Sequence, residues 1–231
     1  MRAWLRLLVV GTALGAVVPA AHAAIIPVTT TADVIAQDGQ CSLREALFAS
    51  RSDQPTQGCP AGTSGLDEIR LPAGTLVMAA ATPGPLDPNV GDFDTGPVNA
   101  VRIVGAGRDA TVIDAGGSDR VFRVYPNASL TLQDLTVRRG RTAPGGFGGA
   151  VFNQGTLVAV RVNFVDNATT DAADLQDFDA HDPGGDGGAI WSGGPSNPSV
   201  IVAESRFVGN ATGAGADAVL SPVPSTHLRA H

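Results

Sequence analysis

Three stretches of this chain lie over one another without a gap: "LTLQDLTVRRG" (Leu130 to Gly140), "LVAVRVNFVDN" (Leu157 to Asn167) and "VIVAESRFVGN" (Val200 to Asn210). Leu130, Leu157 and Val200 share one column, Leu132, Ala159 and Val202 the next alternate one, and Val137, Phe164 and Phe207 a third. Like residues that recur in register can sit directly over one another, as strands spaced about 4.8 Å apart do. Apolar columns then form a continuous core that no single winding buries alone. The closing column is Gly140, Asn167 and Asn210. Gly and Asn tolerate the positive φ of a sharp corner, so these three residues are expected to make it. Stacked Asn amides are also expected to hydrogen-bond as a corner ladder. "GGAVFN" (Gly148 to Asn153) and "GGAIWS" (Gly187 to Ser192) precede the second and third copies, with Gly pairs where a Cβ would obstruct the turn.

The rest of the chain agrees with a strand-and-corner architecture. From Val101 onward, "VRIVGAG", "ATVIDAGG" and "RVFRVYPNA" are short alternating runs closed by Gly, Asn or Asp, each a strand followed by a turn. The runs are too short and too close together for βαβ units. Asp far outnumbers Glu, and every one of the 15 basic residues is Arg, a balance that favours turns over helices. The expected fold is all-β, a parallel β-helix (solenoid).

An open stack exposes unpaired strand edge and core at its end. "CSLREALFAS" (Cys41 to Ser50) supplies a lid. Ser42 and Glu45 form a capping box, with Ser42 at the N-cap. Leu43, Ala46, Leu47 and Ser50 fall on one face of the short helix that follows. That helix is expected to lie over the first winding. Cys41 and Cys59 are the only cysteines. In an exported chain an isolated pair is expected to be a disulfide. Closing a loop of this size stabilises by about 3 kcal/mol in the chain-entropy estimate.

Export is expected because "MRAWLRLLVVGTALGAVVPAAHA" combines Arg2 and Arg6, a short apolar run and Ala21-His22-Ala23, the pattern of a secretory signal peptide cut before Ala24. No other stretch is apolar enough to cross a bilayer. The net charge of −7, without basic clusters, argues against nucleic acid or anionic lipid as a partner. The chain divides into a signal peptide (1–23), an N-terminal cap with the first strand (24–78), parallel windings (79–218) and an irregular tail (219–231). In that tail "PVPSTHLRAH" breaks off the pattern, which reads as a truncated or frame-shifted end, a natural disordered tail being the other reading.

The cap resembles a known family. "CSLREA", the second cysteine and "GLDEIRLPAGT" (Gly65 to Thr75) are similar to the CSLREA domain of secreted, repetitive bacterial proteins. The tetrapeptides "GGAV" (148–151) with "FVDN" (164–167), and "GGAI" (187–190) with "FVGN" (207–210), resemble the repeats of chlamydial polymorphic outer-membrane proteins. Together the resemblances cover about residues 41–212. They imply right-handed winding, placement outside the cell or on its surface, and, for some members, adhesin-like behaviour. The family's C-terminal autotransporter barrel or sorting helix is not expected within these residues.

Chemistry is harder to place. "DNATTDAADLQDFDAHDPGGDGG" (Asp166 to Gly188) crowds seven aspartates with no arginine. Asp174, Asp177, Asp179 and Asp182 are candidate ligands for Ca²⁺, although the spacing fits neither an EF-hand nor the calcium-binding nonapeptide repeat. A solvated acidic loop is the other reading. A polysaccharide lyase or glycoside hydrolase on the same scaffold would draw on Asp134, Arg138, Arg139 and Arg141. However, Arg161 and Glu204 occupy the Asp134 column, and outward strand positions are polar by default. The favoured expectation is a noncatalytic protein with no catalytic residue and no obligatory cofactor. Its flank loops would present a binding surface to an extracellular glycan or surface ligand. Asn127, Asn167 and Asn210 head Asn-x-Ser/Thr sequons; for the last two a corner role accounts for the asparagine better than glycosylation.

Overall fold

The computed structural model describes residues 23–79, 91–97, 99–170, 187–212, 219–220 and 226–229. The signal-peptide segment and the acidic candidates Asp174, Asp177, Asp179 and Asp182 lie outside the described residues. Among the described residues the fold is all-β with parallel sheets and one helix. The chain begins with β1 (Ile25–Pro27), α1 (Leu43–Ser52), β2 (Leu66–Arg70), β3 (Gly74–Val77) and β4 (Phe93–Asp94). It continues through β5 (Ala100–Val104), β6 (Thr111–Asp114), β7 (Phe122–Val124), β8 (Ser129–Arg138) and β9 (Arg141–Pro144). Then follow β10 (Val151–Asn153), β11 (Thr156–Val165), β12 (Ala168–Thr170), β13 (Ile190–Ser192) and β14 (Ser199–Ala203). The last strands are β15 (Arg206–Val208), β16 (Val219–Leu220) and β17 (Thr226–Arg229).

Three parallel sheets collect these strands. A ten-stranded sheet runs β1-β2-β5-β8-β11-β14-β17, with β3, β6 and β15 alongside; a five-stranded sheet runs β16-β13-β10-β7-β4; β9 pairs β12. From β7 to β14 the chain visits the five-stranded, ten-stranded and two-stranded sheets in rotation. Each visit adds a rung beside the previous one. The register is that of the sequence columns: Leu130, Leu157 and Val200 are partners, as are Leu132, Ala159 and Val202, and Val137, Phe164 and Phe207. On the five-stranded sheet Phe93, Phe122, Val151 and Ile190 line up inward in the same way. Burying a large apolar side chain contributes roughly 1.5–3 kcal/mol, and almost every inward residue of these columns is fully buried.

The long strands β8 and β11 bend where the sequence shows no glycine. Asp134 (φ 55°), Arg161 (φ 55°) and Glu204 (φ 50°) stand in the left-handed region at equivalent rungs. They therefore form a bend column within the strands, and Asp134 keeps the outward, partly exposed place in β8 expected of it. Gly105, one rung earlier, has no room for a Cβ, which would stand 2.4 Å from the Asp134 carbonyl oxygen. The closing corner is corrected. The left-handed residues are Arg139 (φ 53°), Asp166 (φ 53°) and Gly209 (φ 65°), each one position before Gly140, Asn167 and Asn210. The physical reason is that the asparagine side chain must point inward to bridge rungs, so its neighbour takes the turn.

The boundary expected at 78 falls within one sheet, where β2 and β3 pair directly with β5 and β6. The tail is not wholly irregular, because β16 pairs β13 and β17 pairs β14.

Candidate functional site on the outer face of the five-stranded sheet

The residues singled out in "CSLREA" all work within the cap. Cys41 and Cys59 form a disulfide with 4.7 Å between Cα atoms. Ser42 Oγ accepts from the Glu45 amide, and Glu45 Oε2 accepts from the Ser42 amide at 2.9 Å. Glu45 Oε1 also holds the Ala36 amide at 2.8 Å. Arg44, which the sequence left without a role, is 3% exposed and donates twice, at 2.7 Å, to the equally buried Asp33. Its guanidinium lies 4.7 Å over the Phe93 ring and donates to the Gly91 carbonyl. Opposite, fully buried Asp67 accepts from Ser50 Oγ, Thr63 Oγ1 and the Thr63 amide, tying the helix to the first rung.

Of the candidates for catalysis, Asp134, Arg138 and Arg139 are engaged in ion pairs, whereas Arg141, in β9, is exposed. Asp134 accepts a two-pronged bond from Arg161 at 2.6 and 2.7 Å. That bond is the main reason its carboxyl is held down to about 2, with Gln133 adding a further hydrogen bond. Arg138 and Arg139 both turn to Asp114, which also accepts from the Gly116 amide. Burial raises the Asp114 carboxyl, but the hydrogen bonds from Arg139, Gly116 and Arg138 outweigh it and leave the group below its ordinary value. Neither carboxylate is placed to lend a proton. No group of three or more metal-ligating side chains gathers among the described residues.

The corner ladder is a bridge between rungs. Asn167 is fully buried; its Oδ1 accepts from the Gly140 amide at 2.9 Å, and its amide group donates to the Val137 carbonyl. Asn210 Oδ1 in turn accepts from both the backbone and the side chain of Asn167, and Asn210 donates to the Phe164 carbonyl.

A different constellation stands on the outer face of the five-stranded sheet. The register places Asp94, Arg123, Phe152 and Trp191 in one outward column. Phe152 and Trp191 are stacked at 4.7 Å with their planes 4° apart, and Phe147 packs 4.8 Å from Trp191. Arg120 lies 5.0 Å over the Phe152 ring, fixed by Asp92 and the Phe147 carbonyl. Arg123 lies 4.6 Å over Tyr125. These aromatic rings are only half-buried. At the cap end, Asp94 Oδ1 and Arg123 Nε are buried without a hydrogen-bond partner. Burial and the neighbouring Asp92 push the Asp94 carboxyl up to about 6, against the pull of Arg123, Arg120 and Arg51.

Sequence reasoning missed this face. The "GGAVFN" and "GGAIWS" alignment already contains the Phe152–Trp191 pair. Extending that column back to Arg123 and Asp94 needed the register across residues 79–99, where the sequence shows no periodicity. No family model matches the chain, and no curated protein or solved structure does.

Proposed function

We propose that the chain is an exported, right-handed parallel β-helix that binds an extended glycan on the outer face of its five-stranded sheet. The rotation of the chain among three parallel sheets supports the winding, and the amino-terminal pattern supports export. The column of Phe147, Phe152 and Trp191 with Arg120 and Arg123 carries the binding reading. A sheet of parallel strands offers one outward side chain every ~4.8 Å, close to the length of one sugar unit in an extended polysaccharide. The apolar faces of pyranose rings pack against aromatic surface while their hydroxyls take the guanidinium donors. The rings are already stacked and the arginines already anchored, so little side-chain freedom is lost on binding.

The test uses fluorescence. Trp191 is one of 2 tryptophans, and the other, Trp4, lies in the expected signal peptide. Titrating the mature protein with neutral and acidic oligosaccharides should therefore report on Trp191 alone. Saturable quenching or a spectral shift is expected, weakened about tenfold in Phe147→Ala or Phe152→Ala, in line with the ~1–1.5 kcal/mol of a lost aromatic contact. An unchanged spectrum across the series, with no retention on glycan supports, would reject the reading.

One observation favours a hydrolase on this same face. Asp92 and Asp94 flank the inward Phe93, Asp92 paired with Arg120 and Asp94 raised to about 6. A carboxyl group raised by burial beside a second, arginine-anchored carboxyl is the kind of environment in which a general acid works. New reducing ends in the oligosaccharide digests, lost in Asp94→Asn, would establish that reading over binding alone.

A further inference from the structure

A second recess opens at the closing corner of the ten-stranded sheet, around the edge from the aromatic column. It is open to solvent, about 240 Å³ in volume, and lined by Gly116, Gly117, Arg139, Gly140, Arg141, Asp166 and Ala168, a surface recess of the size that can seat a single sugar ring.

The recess exists because one rung of the corner carries no side chain. Gly116 (φ 64°) and Gly117 (φ 78°) make the turn, and a Cβ on either would meet nothing within 4 Å. The next rungs place Arg139 and then Asp166 at the equivalent corner. Arg139 is held by buried Asp114 through Nε and Nη2, while half of its side chain remains exposed. Arg141 is exposed and makes no ion pair among the described residues. Asp166 lines the remaining wall, with its carboxylate leaning over Gly209 of the next rung.

We propose that this corner binds one acidic sugar unit, a pyranose ring bearing a carboxylate. The carboxylate sits against the Arg139 and Arg141 guanidiniums, whose planar forks suit a two-oxygen acceptor. A ring hydroxyl donates to Asp166. The glycine floor brings the backbone close to the ring, as it can only where no Cβ intervenes. A metal cation is disfavoured by two arginines among the lining residues. The site shares its ligand class with the glycan reading but uses none of the same residues, so the two stand or fall separately.

The experiment is calorimetric titration of the mature protein with the methyl glycoside of a uronic acid, its neutral hexose counterpart and inorganic sulfate. Saturable, salt-sensitive binding of the uronate alone is expected. Arg141→Ala should weaken it about tenfold or more, the scale of one charge-assisted hydrogen bond, and Arg141→Lys should restore part of it. Gly116→Asn, which tolerates the left-handed backbone, should block the recess without unfolding the protein, as circular dichroism would verify. Phe152→Ala should leave uronate binding intact while weakening the Trp191 response to oligosaccharide about tenfold, which separates this site from the aromatic face. Equal binding of the neutral sugar or of sulfate, no binding at millimolar concentration, or indifference to both Arg141→Ala and Gly116→Asn, overturns the proposal.

Discussion

The cap and the rungs behind it solve the same problem, burial, by opposite means. The cap buries charge: Arg44 against Asp33, Glu45 against two amides, Asp67 against Ser50 and Thr63. None of these pairs recurs. The rungs bury mainly columns of leucine, valine, isoleucine, alanine and phenylalanine in register, with Asp114 a buried carboxylate among them. The difference follows from what lies on either side. An interior rung meets a copy of itself, so any apolar residue of similar size will do. The first rung meets a helix once only. A buried polar network there is satisfied in a single arrangement, because any slip leaves a charge unpaired in a low dielectric. The cap therefore sets where the stack begins, and the rungs provide most of its apolar burial.

That contrast can be broken, and the largest effect should come at the cap. Arg44→Ala leaves Asp33 buried and unpaired and should cost about 3–5 kcal/mol, the range for severing a buried ion pair. Denaturant unfolding would measure it, and hydrogen exchange should show protection lost first in β1 and β2. A loss below 1 kcal/mol would mean that the cap is an accessory to the stack. A middle-sized effect is expected in the rungs. Asn167→Ala removes bonds to the Gly140 amide, the Val137 carbonyl and Asn210, and should cost about 2 kcal/mol for the buried groups left unsatisfied. Because neighbouring rungs share the ladder, exchange should rise on both sides of β11 and leave α1 unaffected.

The smallest effect is a pH dependence where cap and rungs meet. Asp94 faces Asp92, Arg120, Arg123, Arg51 and Tyr125. Its carboxyl is raised to about 6 in the folded chain, against ~3.9 unfolded. The folded state therefore holds the proton more tightly. Its contribution to stability is complete below about pH 4 and is lost as pH rises through about 6. Asp94→Asn should flatten the stability profile between those values and stabilise the protein at pH 7. Unchanged curvature between pH 4 and 6 would place the titrating group elsewhere. Asp114 and Asp134, both lowered, act in the opposite sense: their stabilisation is present above the ordinary carboxylate range and fades as pH falls further.

Much of the stack was legible in residues that recur. Leu130, Leu157 and Val200 announce an inward column because strand alternation is strictly local and the copies align without a gap. The capping box was equally legible, since Ser42 and Glu45 are three residues apart and meet within one helical turn. The Arg44–Asp33 pair was not. Asp33 lies in a stretch without periodicity, and nothing in the sequence says that two polar residues on separate segments will be buried together. The aromatic face was half legible: Phe152 and Trp191 align, but Arg120, Arg123 and Asp92 join them from stretches that match no other rung.

The amino-acid order alone determined which side chains face inward, that equivalent residues stack, and that a short capped helix follows Cys41. Each of these depends on contacts within a few residues or on simple recurrence. Only the tertiary structure decided that Arg139 and Asp166 take the left-handed corner in place of Gly140 and Asn167. It also decided which arginine meets which carboxylate. Backbone strain at a corner is small enough to be overruled by the hydrogen bonds a buried asparagine makes across rungs. A long guanidinium side chain can reach several acceptors at similar cost, so its partner is settled only once the sheets have brought the candidates together.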